Sequence, residues 1–150
     1  MIRVQVHDFN QQIEYDALKN ITSIGAIVTF TGLVRDINQG ESVSGLSLEH
    51  YPGMTEKSLI DIVEQAKHRW DIIESTVIHR VGPLKVSEQI VFVGVATQHR
   101  GDAFAACEFI MDHLKTKAPF WKKETFSNGE IKWVDARETD QQTISKWDIS

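Results

Sequence analysis

The chain has 150 residues, 41% of them hydrophobic and 25% charged, with one cysteine and a formal net charge of −5. This length fits one domain spanning residues 1–150, and the composition is that of a soluble globular protein. One cysteine excludes an internal disulfide framework and a multi-cysteine metal site, and the acidic balance argues against general nucleic-acid binding.

In chain order, Ile2, Val4 and Val6 alternate as in a strand, without the long apolar run of a signal peptide. Residues 11–20 read as a short helix with Ile13, Ala17 and Leu18 on one side. The β-branched run over 24–34 predicts a strand ending near Arg35-Asp36, with a turn at 38–41. Leu46 and Leu48 alternate with Ser47 and Glu49, giving a strand that stops at Pro52-Gly53. A helix follows over 55–70, with Leu59, Ile62, Val63 and Ala66 at helical spacing. Residues 76–81 and 89–97 read as two strands joined across a turn at Gly82-Pro83. A second long helix runs from Asp102, taken as its N-cap, to the residue before Pro119, with Phe104, Cys107, Met111 and Leu114 as its core stripe. Residues 132–136 form a last strand. The pattern predicts an α+β fold, mainly antiparallel or mixed sheet with two long helices. The longest apolar runs are strand-length, so no membrane span is expected and the cytoplasm is the default location.

The richest stretch chemically is 113–124, His-Leu-Lys-Thr-Lys-Ala-Pro-Phe-Trp-Lys-Lys-Glu. Lys115, Lys117, Lys122 and Lys123 crowd together with no acid before Glu124, so each raises the cost of charging the others unless an anion offsets them. Two readings fit: a pocket wall for an anionic small molecule, with an amine of lowered pKa, or a helix end whose lysines offset the dipole before a solvated loop. His99-Arg100 lies between a strand end and a helix start, where free backbone N–H groups favour an anion. Covering a strand end is the alternative role for that pair. Arg35 follows a strand containing Gly32, a residue that lets another backbone or a ligand approach closely.

The cluster Glu49-His50-Tyr51 reads as a structural corner, although it has acid–base residue types. His79 reads as a packed, hydrogen-bonded histidine and Cys107 as a buried small hydrophobe. His7, His68 and His113 have no partner at metal-ligand spacing.

Helix length adds a constraint. From Asp102 to Lys115 is roughly 20 Å at about 1.5 Å per residue, which puts His99-Arg100 and Lys115 at opposite ends of one rod. If both belong to one site, they come from two subunits across a dimer interface.

Several stretches together resemble the large, catalytic subunit of the molybdopterin synthase family. They are Phe-Thr-Gly-Leu-Val-Arg (30–35), Leu-Glu-His-Tyr-Pro-Gly-Met-Thr-Glu-Lys (48–57), Val-Ile-His-Arg-Val-Gly (77–82) and Ile-Val-Phe-Val-Gly-Val (90–95). His-Arg (99–100), Phe-Ile-Met-Asp (109–112), Leu-Lys-Thr-Lys-Ala-Pro-Phe-Trp-Lys-Lys-Glu (114–124) and Trp-Val-Asp-Ala-Arg (133–137) continue the series. The resemblance implies an α/β hammerhead-type fold and a sulfurtransferase of molybdenum cofactor biosynthesis. It implies a small ubiquitin-like partner whose thiocarboxylated C-terminal Gly-Gly gives sulfur to cyclic pyranopterin monophosphate (precursor Z). It also implies a heterotetramer built on a central homodimer, with no resident metal or cofactor.

Family substrate-binding positions fall on Leu33, Val34, Arg35, His99, Arg100, Lys115, Lys122, Lys123 and Glu124. Relatives often carry a basic residue where this chain has Leu33, which leaves a backbone contact there. Lys115 and Lys122 are the expected catalytic amines, with Lys117 facing solvent. Two other classes fit the residues before the resemblance is weighed: a non-catalytic module that docks an acidic tail, and an acyl-transfer hydrolase using His50 or His99 as base.

Overall fold

A computed structural model of the chain describes residues 1–38, 40–134 and 144–148. Its strands are β1 (Ile2–Gln5), β2 (Ala26–Leu33), β3 (Ile37–Asn38), β4 (Glu41–His50), β5 (Ile72–Arg80), β6 (Gly82–Lys85), β7 (Gln89–Thr97), β8 (Phe120–Phe126) and β9 (Ile131–Val134). The helices are α1 (Gln11–Leu18), α2 (Met54–Arg69) and α3 (Arg100–Lys117). The expected α+β mixture is present, arranged as two sheets.

The first sheet runs β1-β5-β7-β2, with β1 parallel to β5 and the other pairs antiparallel. Both of its faces are covered, which explains why β5 and β7 read as nearly continuous apolar runs. Val77, Val91, Val93 and Val95 face α2 and α3 and form the main core with Leu59, Ile62, Ala66, Phe109 and Ile110. On the opposite face Phe9, Ile78 and Phe92 pack together, and a Cβ on Gly94 would lie 2.5 Å from Leu18 Cδ1 of α1. Burial of these side chains contributes roughly 1.5–3 kcal/mol each relative to exposure.

The second sheet runs β3-β4-β8-β9, with β6 also paired to β4. Two of its strands depart from the sequence reading. Gly82-Pro83 is not the turn of a hairpin: Gly82, at φ +85°, redirects the chain from the first sheet into β6, which pairs Leu84 with Leu46 of β4. An edge position tolerates Pro83, which has no N–H to donate. The turn before β7 lies instead at Val86–Glu88, where Ser87 has φ 72°.

Strand β8 occupies a stretch in which the sequence pattern predicts no strand. It pairs Leu48 with Lys122 and His50 with Phe120 on β4, and Lys122 with Val134 on β9. The expected strand over 132–136 appears as β9, and residues 135–136 lie outside the described residues.

Helix α3 begins at Arg100, with His99 as N-cap in extended backbone; Asp102 sits in the first turn, where its charge complements the helix dipole. Its buried face is wider than one stripe and includes Ala103, Ala106, Cys107, Ile110 and Leu114. Phe104, expected in the core, is 62% exposed, because the helix meets α2 and the sheet through its small residues. In α1, Leu18 is buried as expected, whereas Ile13 is exposed.

Candidate active site at the meeting of the two sheets

The end of β2, the inner faces of β4, β5 and β8, and the last turn of α3 enclose a cavity of about 320 Å³. β2 contributes Leu33 and, just beyond it, Arg35; α3 contributes Lys115; β8 contributes Lys122. Gly32 permits the close packing beside this rim, since a Cβ there would lie 2.9 Å from Val91 Cγ1. The walls are otherwise largely apolar, with Leu48, Met111, Leu114 and Phe120 among them.

The period of a strand divides the lysine stretch. Phe120, Lys122 and Glu124 share one face of β8, and Lys123 points the other way, its Nζ 5.6 Å from the centre of the Trp133 ring. Lys122 Nζ lies 3.7 Å from Glu124 Oε1, and Asn38 Nδ2 donates to that same oxygen at 2.6 Å. Glu124 is only 3% exposed, so it acts as a fixed anion behind Lys122 rather than as a free surface acid. Arg35 and Lys115 make no ion pair among the described residues, and Lys117 is exposed. Three cationic side chains thus open onto one space of mixed polar and apolar lining in an acidic protein, an arrangement that attracts and orients an anion.

Other predicted positions lie outside the lining of this cavity. Val34 is 3% exposed and packs with Leu46, Leu48 and Leu84; its N–H donates to Glu88 O at 3.0 Å. His99 and Arg100 are exposed at the far end of α3, about 22 Å from Lys115 by helical rise. Thr97 Oγ1 donates to His99 O at 2.6 Å and fixes that strand-to-helix junction. The structure therefore brings Leu33, Arg35, Lys115 and Lys122 together within one chain and keeps His99 and Arg100 apart from them. A second, more open groove of about 530 Å³ runs between β2 and α3, lined by the half-exposed Phe30 and by Phe104, and shares Lys115 with the cavity.

His79 is the lining residue whose chemistry the sequence reading did not use. It is packed and hydrogen-bonded as expected, but it also faces the cavity. Its alternation with Val77 and Val81 gave its face without revealing what that face meets. Burial lowers its pKa from 6.5 to about 4, against the opposing pull of the Arg80 carbonyl and with help from the charges of His50 and Lys115. A histidine held neutral in the folded state makes unfolding easier in acid, because the unfolded chain takes up the proton first. This stability contribution is complete above about pH 6.5 and falls away as pH drops toward 4. The chain is expected to lose about 2 kcal/mol of stability from this group between pH 7 and pH 5, with a shallower slope in His79→Phe, as urea unfolding would measure.

Cys107 is buried, as the sequence pattern predicts. His113 Nδ1 donates to Phe109 O at 2.9 Å within α3, and burial pushes the Cys107 thiol up to about 11. Around Tyr51 the polar groups serve the start of α2, with Thr55 Oγ1 donating to Tyr51 O at 2.9 Å. Among the described residues no group of histidine, cysteine or acidic side chains is arranged to hold a metal ion. No described helix is long and apolar enough to cross a membrane.

The sequence profile of the MoaE protein family matches residues 4–117. The chain belongs to the MoaE family. A molybdopterin synthase catalytic subunit from Ralstonia nicotianae is 57% identical over 149 residues, covering 99% of this chain and 84% of that protein. A MoaE protein structure from Burkholderia ambifaria superposes with TM-score 0.84 at 49% identity, over 100% of this chain and 99% of that one. A molybdopterin synthase chain from Staphylococcus aureus gives TM-score 0.81 at 31% identity, over 88% of this chain and 95% of that one. The MoaE profile ends at Lys117, before Lys122, but the Ralstonia and Burkholderia matches extend across β8.

Proposed function

We propose that this chain is the catalytic subunit of a molybdopterin synthase, an enzyme of molybdenum cofactor biosynthesis, and that it works as a sulfurtransferase. Its substrate is cyclic pyranopterin monophosphate. Its sulfur donor is the thiocarboxylated C-terminal glycine of a small ubiquitin-like partner. The observation that carries this reading is the convergence of Arg35, Lys115 and Lys122 on one cavity in a MoaE-family chain.

The chemistry follows from what those groups offer. The thiocarboxylate sulfur attacks a side-chain carbon of the pterin, and a C–S bond forms as the C–O bond at that carbon breaks. The oxygen leaves as water at one carbon and as the phosphate-ester oxygen at the other. Water then cleaves the acyl–sulfur bond, leaving the sulfur on the pterin and a carboxylate on the partner's glycine. A second carrier repeats the transfer to complete the dithiolene. Lys115 moves the proton at the reacting carbon. Lys122, oriented by Glu124, holds the partner's carboxylate end and stabilises the oxyanion that develops during hydrolysis. Arg35 binds the phosphate together with His99 and Arg100 of a second subunit, and His99 protonates the oxygen released when the cyclic phosphate opens. Leu33 and Val34 contribute backbone, and Lys123 and Glu124 support the wall that carries Lys122. Exposed Phe30 and Phe104 beside the cavity suit coverage by another protein chain, in keeping with the homodimer and the small partner. The reading includes a cytoplasmic location, which the single cysteine supports.

Incubation with the thiocarboxylated partner and precursor Z tests the reading: dithiolene is expected, with one partner carboxylate released per sulfur transferred. Binding of the partner without product would reduce the chain to an adaptor. Loss of the thiocarboxylate without precursor would make it a hydrolase.

A further inference from the structure

The cavity holds one recognition group that the sulfur-transfer reading leaves idle. His79 is 5% exposed, lies on β5 and forms part of the cavity wall. Its Nδ1 is 2.8 Å from the carbonyl oxygen of Arg80. A carbonyl only accepts, so Nδ1 must carry the hydrogen. In the neutral ring Nε2 is then a bare lone pair, since the hydrogen bond that the ring makes among the described residues is the one through Nδ1. The imidazole is stacked on Phe120, with ring centres 3.8 Å apart and planes 18° from parallel, so its orientation is fixed before any ligand arrives. Burial, with smaller help from the charges of His50 and Lys115, opposes protonation of the ring and keeps the lone pair available.

The rest of the lining shows why such a lone pair matters. Arg35, Lys115 and Lys122 are donors only, suited to the anionic parts of a ligand. Apart from the Met111 thioether, the side-chain acceptors among the described lining residues are His79 and Thr116. The Thr116 hydroxyl sends its hydrogen to Asp112 O at 3.4 Å and keeps its lone pairs, but of the two His79 is the one whose ring is fixed by aromatic stacking. A pterin brings N–H donors as well as acceptors into the cavity, and a donor buried without a partner costs about 1–3 kcal/mol.

We infer that Nε2 of His79 accepts a hydrogen bond from an N–H group of the pterin, making His79 the residue that recognises the ring while the cations hold the anionic groups. This assignment rests on the proposed pterin substrate. It is separate from the sulfur-transfer chemistry, because it concerns binding of the precursor in the absence of the sulfur carrier.

Equilibrium binding of precursor Z and of inorganic phosphate to the wild-type chain, His79→Phe and His79→Gln tests it. Phenylalanine keeps the stacking and shape but has no acceptor; glutamine can return an acceptor near the position of Nε2. His79→Phe is expected to weaken precursor binding about tenfold, and His79→Gln to recover most of that loss, with phosphate affinity unchanged in both. Unchanged precursor affinity in His79→Phe would overturn the assignment, as would equal losses in the two variants or a parallel loss of phosphate binding. A wild-type chain that binds phosphate but no pterin would overturn the substrate reading itself.

The 15N resonance of Nε2 in the wild-type chain provides a second measurement, which stands even where a variant fails to fold. Precursor binding is expected to shift it from the value of a free lone pair toward that of a hydrogen-bonded acceptor. An Nε2 resonance that stays put at saturating precursor would sink the assignment.

Discussion

Lys115→Ala and Lys122→Ala are each expected to lower dithiolene formation by about a hundredfold or more, with the fold retained. The two losses should differ in kind. Lys115 stands at the last turn of α3, is exposed and makes no ion pair among the described residues, so its removal leaves nothing buried without a partner. Its effect should fall on kcat, because proton transfer to or from the reacting carbon counts only in the transition state.

Lys122 is half-buried on β8, 3.7 Å from a carboxylate oxygen of Glu124. On the proposed role its loss should raise the KM for the thiocarboxylated partner as well as lower kcat, since Lys122 would meet the partner's thiocarboxylate in the ground state and its oxyanion later. Lys122→Ala also leaves Glu124 with less compensation, at a cost of about 1 kcal/mol after allowance for solvent at the lysine. Single-turnover kinetics with precursor Z and melting curves for both variants separate these effects. Near-normal turnover in either variant would remove that lysine from the mechanism. A large drop in Tm for Lys115→Ala would show that the residue is structural.

The difference between these lysines shows what the sequence disclosed and what it hid. The unusual charge of 113–124 was visible, as was the end of a helix before Pro119. The strand after it was not. Phe120, Lys122, Glu124 and Phe126 alternate with Trp121, Lys123 and Thr125, but charged residues on both faces mask the period. What makes the segment a strand is pairing with β4, far away in sequence, where Leu48 meets Lys122. Only that pairing separates Lys122 from Lys123 and buries Glu124 against Asn38.

His79 was hidden for a related reason. Its alternation on β5 was legible, but the face it occupies becomes a cavity wall only because β8 brings Phe120 over the ring. Phe104 shows the reverse error: helical spacing placed it in line with Cys107 and Met111, but the small residues Ala103 and Ala106 are the ones drawn against the core. Helix length, by contrast, could be read without tertiary knowledge, and the observed Arg100–Lys117 helix is longer than the sequence estimate.

That length leads to the second large effect, expected from mixing two inactive variants. If each site is shared between two subunits, Arg100→Ala and Lys115→Ala should each be nearly inactive as homodimers, because each removes one half of every site. Arg100 and Lys115 are about 22 Å apart along α3, too far for both to serve one small substrate from a single chain. If the phosphate end of the site comes from the second subunit, a mixed dimer contains one site lacking both groups and one site lacking neither. Co-refolding equal amounts should then restore roughly a quarter of wild-type activity, since about half the dimers are mixed and each has one intact site. Sites contained within one chain would give no recovery, because every chain would still lack an essential group. The exposed Phe30 and Phe104 supply a physical reason for the chains to pair close to the cavity, since covering that apolar surface favours association. Phe104→Glu in the wild-type background should therefore weaken the dimer and lower activity together, and raising the protein concentration should recover both.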